Sequence, residues 1–227
     1  MVAAVVLAAV IPARANLIVH NSPQFSDNNT YRNAWLADIG ISSPQWLVDF
    51  ESGFTDNQNI KGAVIGPDLT IGHTDSGTTV TVQQGAGVIG GSNPIGSFAA
   101  MFSGQAAGAT LTFSQPVDYV GFYDIDRGTG DVTVNLVGGE SFTFSMDTTA
   151  AAGNSAEFWG VFRNDKNRIS SLVFAQDSGG GGWGIDNIQY GVIPEPSVAV
   201  QSLALLTPAF GFLAYRRWRG GQNRRDH

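Results

Sequence analysis

Carboxylates are the side chains of this sequence that are best suited to chemistry. Asp124 and Asp126 end an apolar stretch, and Asp131 follows them across a glycine-containing turn. Calcium takes roughly six to eight oxygen ligands, and a turn bearing three such acids could supply several of them. Arg127 interrupts the group, and no Glu stands at the twelfth position that an EF-hand loop requires. Two interpretations stay open, a hard-oxygen cation site and solvated turn acids.

The sequence offers little support for a catalytic site. A glycoside hydrolase needs two carboxylates across a cleft; Asp49 or Glu51 with Asp186 would provide them, although nothing selects these residues. A serine triad would depend on His73, and no Gly-x-Ser-x-Gly turn accompanies it. The chain has no cysteine, which removes thiol nucleophiles, thiolate metal sites and disulfides together. We therefore expect a protein that is not an enzyme, with a polysaccharide-acting hydrolase as the alternative.

Three tryptophans of the central region are candidates for stacking on sugar rings. Tryptophan usually lies in the core, and this is the position expected for Trp46 and Trp159. Trp183 follows four consecutive glycines, a loop that would present it at the edge of the domain. A core position and an edge position both stay open for Trp183, which is the candidate glycan-binding residue.

Strands must position these side chains, because short apolar alternations with a period of two fill the chain from residue 45 onward. Gly, Asn, Asp and Ser separate the alternations, and Gly138-Gly139 is typical of a hairpin turn. Eleven stretches fit the pattern: Trp46–Glu51, Gly62–Ile65, Thr78–Gln83, Phe98–Phe102, Ala109–Ser114, Val117–Tyr123, Asp131–Val137, Ser141–Ser145, Glu157–Arg163, Ile169–Phe174 and Gly184–Tyr190. Eleven short strands with Gly-rich turns predict an all-β sandwich.

One short helix is expected before the strands begin. Capping side chains at 27–30 precede apolar residues at helical spacing, and Gly40 ends the pattern. The apolar positions are Tyr31, Trp35, Leu36 and Ile39.

The charge of the predicted domain limits its partners. Residues 16–193 hold six of the twelve basic residues and seventeen of the nineteen acids, which gives this segment a net charge of −11. Nucleic acid and anionic membrane surfaces are poor partners for such a domain. Divalent cations and neutral polysaccharide are better ones.

Both ends of the chain read as targeting segments. Residues 1–15 combine an apolar run with an Ala-x-Ala sequence before Asn16, as in a secretory signal peptide, although no basic residue precedes the run. A start codon placed too far downstream would explain that departure. At the other end, the residues from Ser197 to Tyr215 carry no charge and would form a helix of roughly 28 Å, long enough to span a bilayer.

The sequence on either side of this span sets its orientation and its accessibility. Arg216, Arg217 and Arg219 follow the span and hold that end in the cytoplasm. Pro194 and Pro196 prevent a helix from running back into the domain, so Glu195 lies in a short extended linker.

The order Pro-Glu-Pro, apolar helix and Arg-rich end in residues 194–227 strongly resembles the PEP-CTERM sorting signal of Gram-negative bacteria. The resemblance implies export, retention in the inner membrane, and cleavage near Pro194-Glu195-Pro196 by an exosortase. It further implies a final location at the cell surface or in the extracellular biofilm matrix. The alternative is an ordinary membrane anchor that is never cut.

Three further segments resemble jelly-roll modules of the concanavalin-like or carbohydrate-binding kind: Val48–Glu51, Pro116–Phe122 and Gly184–Ile188. In such modules a structural calcium often joins acids of an early strand to the Asp of the last strand. The resemblance therefore implies a calcium site formed by Asp49, Glu51 and Asp186.

Together these patterns predict an exported, non-catalytic β-sandwich that binds polysaccharide or supports adhesion. A polysaccharide hydrolase and a purely structural matrix protein stay open as alternatives, because sandwiches host many unrelated activities.

Overall fold

A computed structural model describes residues 17–21, 28–84, 97–102, 108–125, 130–146, 156–163, 165, 167–175 and 183–194. Within these ranges the chain forms one helix and fourteen strands. They are β1 (Ile18–Asn21), α1 (Asn28–Ile39), β2 (Trp46–Val48), β3 (Gln58–Asn59), β4 (Val64–Gly66), β5 (Leu69–His73), β6 (Val80–Gln84), β7 (Phe98–Phe102), β8 (Ala109–Val117), β9 (Tyr119–Ile125), β10 (Gly130–Leu136), β11 (Ser141–Met146), β12 (Ala156–Phe162), β13 (Ile169–Phe174) and β14 (Trp183–Gly191).

The strands form two antiparallel sheets. The first sheet has the order β1-β12-β9-β14-β7-β6-β3, with β2 paired to β14 beside this path. The second sheet has the order β11-β10-β13-β8-β5-β4. The predicted β-sandwich with one helix is thus confirmed, and each of the eleven predicted stretches overlaps an observed strand. The sequence analysis missed β1, β3 and β5, of which β3 is only two residues long.

The core lies between the two sheets and follows the alternation of each strand. Val132, Val134 and Leu136 of β10 are buried in it, as are Leu111 of β8 and Leu172 of β13. Because successive side chains of a strand point to opposite faces, the intervening residues lie on the outer side. The predicted hairpin is also present, since β10 pairs with β11 around Gly139, whose φ is +83°.

Helix α1 covers part of the outer face of the first sheet. Its apolar side packs on a small aromatic cluster contributed by β9 and β12. The helix ends at Gly40, where φ is +83° and the Gly40 N–H donates to the carbonyl of Ala37. This is the left-handed residue that commonly terminates helices. The helix predicted from the spacing of its apolar residues is confirmed.

Trp35 is the side chain that joins this helix to the sheet. It is fully buried and contacts Phe158 and Tyr119 at ring-centroid distances of 5.3 and 5.7 Å. The indole lies over two glycines of adjacent strands. A Cβ at Gly121 would come within 2.8 Å of the indole, and one at Gly160 within 2.6 Å. The slot that receives Trp35 therefore exists because both positions lack a side chain.

The chain divides into two compact units, Met1–Ile193 and Pro194–His227. In the part of the chain that the structure describes, no helix is long and apolar enough to cross a membrane. The span predicted at 197–215 and the signal peptide predicted at 1–15 both lie outside the described residues.

The glycine slot gives a stability prediction. Gly160→Ala should destabilise the domain by about 1–3 kcal/mol, because the new methyl group overlaps the Trp35 indole and forces the helix away from the sheet. Urea denaturation measures the change. Gly77→Ala is the matched control, since its Cβ would meet no atom closer than 3.6 Å. Equal stability of the two variants would contradict the role given to the slot.

Candidate functional site

The candidate site is a groove beside the short strand β2, which we name the Trp46 groove. It encloses about 250 Å³ and lies where β2 and the end of β14 meet the turns of the second sheet. Its polar lining includes Gln45, Asp68, Gln115 and Arg168. Trp46 forms an apolar wall and keeps 40% of its surface exposed. An aromatic wall with a few polar groups is the usual composition of a small-molecule site.

Two buried tyrosines hold residues that line the groove. Tyr190 donates from its hydroxyl to the carbonyl of Pro67 at 2.5 Å, and Tyr119 accepts from the Gln45 N–H at 2.6 Å. Burial raises the pKa of both hydroxyls, so they stay neutral and keep these hydrogen bonds. Gly191 makes room for the second contact, because a Cβ there would lie 2.5 Å from the Tyr119 hydroxyl.

Asp118 holds the end of the domain next to the groove. One carboxylate oxygen accepts from Arg168 Nε at 2.9 Å, and the other accepts from the Ile193 N–H at 2.8 Å. Gln45 Oε1 accepts from the Val192 N–H at 2.9 Å. The side chain of Asp118 is only 8% exposed, so both of its oxygens are desolvated and satisfied within the protein. We name Asp118 and Gln45 the terminal clamp, because they bind the last two residues before Pro194.

Of the three tryptophans, one follows its prediction, one differs from it, and the sequence had left the position of the third open. Trp159 lies in the core as predicted. The prediction for Trp46 was wrong, because β2 pairs with β14 alone and leaves this side chain at the rim. Trp183 is fully buried and stacks on Phe102 with centroids 4.3 Å apart, so the suggested surface for sugar stacking at this residue is not formed. Its strand continues into the core rather than ending at the domain's edge.

The acids predicted to bind metal are distributed over different surfaces. Asp124 is buried on the interior side of the first sheet, where β9 pairs it with Ile185. Asp186 is buried opposite Tyr123, a residue of the cluster beneath the helix. Because adjacent residues of β14 point to opposite faces, Asp124 and Asp186 do not converge. Asp131 is exposed on β10, and Asp126 lies outside the described residues.

The remaining two acids are engaged in local structure. Asp49 Oδ1 accepts from the Glu51 N–H at 3.2 Å. Glu51 Oε1 accepts from the N–H groups of Ser97 and Phe98 at 2.5 and 3.0 Å, which fixes the start of β7. Among the described residues, no three His, Asp or Glu side chains lie close enough to hold a metal ion. The implied calcium site therefore stays a prediction.

His73 does not form a catalytic arrangement. Its Nδ1 accepts from the Asp75 N–H at 3.0 Å, a contact within one turn. Burial, followed by the nearby Lys61 charge, lowers the pKa of His73.

Of the predicted sorting residues, the structure describes Pro194, which is exposed. Glu195 and Pro196, and the arginines at 216, 217 and 219, lie outside the described residues. The sequence analysis missed the residues that build the groove and the clamp. Gln45 and Asp118 contact positions 147 and 75 residues away, and no local pattern indicates such pairs.

Comparisons with known proteins give distant structural likenesses. No family model matches the chain, and no curated protein matches it. A xylan-binding domain of Paenibacillus barcinonensis Xyn10C aligns with TM-score 0.39 and 14% identity, over 68% of this chain and 98% of that one. A family 29 carbohydrate-binding module aligns with TM-score 0.37 and 12% identity, over 66% and 97%.

A third likeness is to the enzymatically active domain of tailspike protein 4 of bacteriophage CBA120. Its TM-score is 0.33 at 24% identity, over 54% of this chain and 19% of that one. This chain thus spans about a fifth of the tailspike domain. Likenesses at these TM-scores assign no function to this chain.

Proposed function

We propose that this protein is an exported, non-catalytic module that binds polysaccharide in the Trp46 groove. The observation that carries the proposal is the exposed indole of Trp46 beside hydrogen-bonding side chains on the groove wall. An indole offers a broad apolar face on which the C–H face of a sugar ring can stack. The amides of Gln45 and Gln115 and the charged groups of Asp68 and Arg168 can pair with the hydroxyls of the sugar.

The charge of the domain favours a neutral glycan over an anionic one. Residues 16–193 carry a net charge of −11, and the ion pair with Asp118 already neutralises Arg168. The volume of about 250 Å³ is slightly below the roughly 300–1,000 Å³ of typical small-molecule sites. A groove of this volume can hold part of a longer polysaccharide chain.

The same groove argues against hydrolysis. Glycoside hydrolysis typically needs two carboxyl groups flanking the scissile bond, one as general acid and the other as general base or nucleophile. In the described part of the groove, Asp68 contributes one carboxylate, and its Oδ1 accepts from the Ser114 hydroxyl at 2.6 Å. Asp118 has both oxygens bonded to Arg168 and Ile193, so it is not available as the second group.

We further propose that the protein reaches the cell surface or the biofilm matrix after an exosortase cuts it near Pro194-Glu195-Pro196. The terminal clamp supports this proposal, because it binds the backbone up to Ile193 and the first compact unit ends at that residue. Cleavage after Ile193 would remove no residue that the clamp holds.

Trp46→Ala should weaken binding to a neutral polysaccharide about tenfold or more, which is roughly 1.4 kcal/mol or more of binding free energy. Titration calorimetry with soluble xylan, mannan and mixed-linkage β-glucan measures the effect. Leu47→Ala is the matched control, since Leu47 is 50% exposed beside Trp46 but does not line the groove. Failure of the wild type to bind any neutral glycan, or equal binding by both variants, would contradict the proposal.

Replacing Pro194, Glu195 and Pro196 together with alanine should block processing. The wild-type protein, expressed in its own host, should end near residue 194 in the surface or medium fraction. The triple variant should keep its full C-terminus and stay in the membrane fraction. Intact mass of fractionated protein measures both, and retention of the Arg-rich end by the wild type would rule out sorting by cleavage.

A further inference from the structure

The outer face of the second sheet carries a regular array of small polar side chains. The strand register aligns one row across six strands: Val64, Thr70, Thr112, Ser171, Asn135 and Ser141. A second row, two residues further along each strand, crosses five of them: Gly72, Thr110, Val173, Thr133 and Thr143. Neither row contains a charged or aromatic residue. We name the two rows the hydroxyl face.

This face is partly exposed to solvent and partly ordered by its own hydrogen bonds. Thr112 and Thr143 are exposed, and Thr133 is half-buried between them in the sheet. Asn135 Nδ2 donates to the Ser171 hydroxyl at 3.0 Å, and the hydroxyls of Thr133 and Thr143 lie 3.0 Å apart. Threonine is branched at Cβ and has few side-chain rotamers, so little freedom is lost on binding.

The core fixes the position of the array. The residues that alternate with it, Leu111, Val132, Val134 and Leu172, are fully buried. A strand that slipped by one residue would move these apolar side chains into water, so the register of the rows is strongly specified. The outer face of the first sheet differs, because helix α1 packs there.

We propose that the hydroxyl face binds an extended neutral polysaccharide chain that lies across the strands, as a second binding surface on this domain. Neighbouring strands are about 4.8 Å apart, close to the length of one pyranose unit in an extended chain. A row of six residues then spans roughly 24 Å and offers about one polar side chain per sugar unit. The proposal rests on the proposed polysaccharide-binding function and adds a surface to it.

The composition of the two rows favours a neutral polysaccharide as the partner. Hydroxyl and amide groups both donate and accept hydrogen bonds, as the hydroxyls of a sugar do. Neither row offers a positive charge to an anionic polysaccharide. The net charge of −11 on residues 16–193 would repel such a chain. Val64, 73% exposed at the end of the first row, and Val173 in the second offer apolar contact to sugar C–H groups. Two surfaces on one domain raise retention on a polymer without any single strong contact.

The test uses the full chain in detergent and its retention on insoluble cellulose, mannan and β-1,3-glucan particles. The double variant Thr112→Lys and Thr133→Lys places two long charged side chains in the middle of the array. It should lower retention on the preferred particle at least fivefold. The double variant Ser42→Lys and Ser52→Lys, at exposed loop residues outside both rows and the groove, makes the same change of charge elsewhere and should have no effect.

The possible results distinguish binding on the hydroxyl face from binding in the Trp46 groove. Loss of retention in the lysine variant with an unchanged melting temperature supports the hydroxyl face. If the lysine variant unfolds, Thr112→Ala with Thr133→Ala and Ser141→Ala serves in its place, with the same expected direction. If neither the lysine nor the alanine variants change retention and Trp46→Ala abolishes it, the proposal for the hydroxyl face is overturned. The proposal for the Trp46 groove is then supported. A wild-type chain that is retained on none of the particles overturns both.

Discussion

The contact between Trp35 and the two glycines beneath it decides which faces of the sandwich are open for binding. The indole reaches the backbone of adjacent strands only because Gly121 and Gly160 lack side chains. Helix α1 thereby covers part of the outer face of the first sheet with a closed aromatic cluster. The outer face of the second sheet lies on the opposite side of the sandwich, and the rim beside Trp46 keeps its indole exposed.

Asp118 is the second constraint, and it joins the groove to the end of the domain. Its carboxylate binds Arg168, a groove residue, and the backbone of Ile193. Truncating Asp118 would remove both contacts at once and leave the Ile193 N–H without this acceptor, whereas Arg168, whose side chain is 42% exposed, would be hydrated instead. The groove wall and the backbone of Ile193 are therefore held by the same side chain. Removal of a segment beyond Ile193 would remove none of these contacts.

Alternation with a period of two was sufficient to predict strands such as β10, which buries Val132 and Val134 on one face. The same rule explains a failure. Asp124 follows an apolar stretch and Asp186 lies within one, yet the register pairs Asp124 with Ile185, so the two acids point to opposite faces. The exposure of Trp46 could not be predicted, because it depends on β2 pairing with a strand about 140 residues away. Contacts of Gln45 and Asp118 with the chain end depend on similar long-range pairing.

Both proposals require that a neutral polysaccharide binds in the Trp46 groove and on the hydroxyl face. Titration of a soluble neutral glycan into the isotopically labelled protein, followed by amide chemical shifts, locates the surfaces that bind it. Shifts are expected at Gln45, Trp46 and Gly191 in the groove and at Thr112 and Thr133 on the hydroxyl face. Shifts confined to helix α1, or no shifts with any neutral glycan, would contradict both proposals.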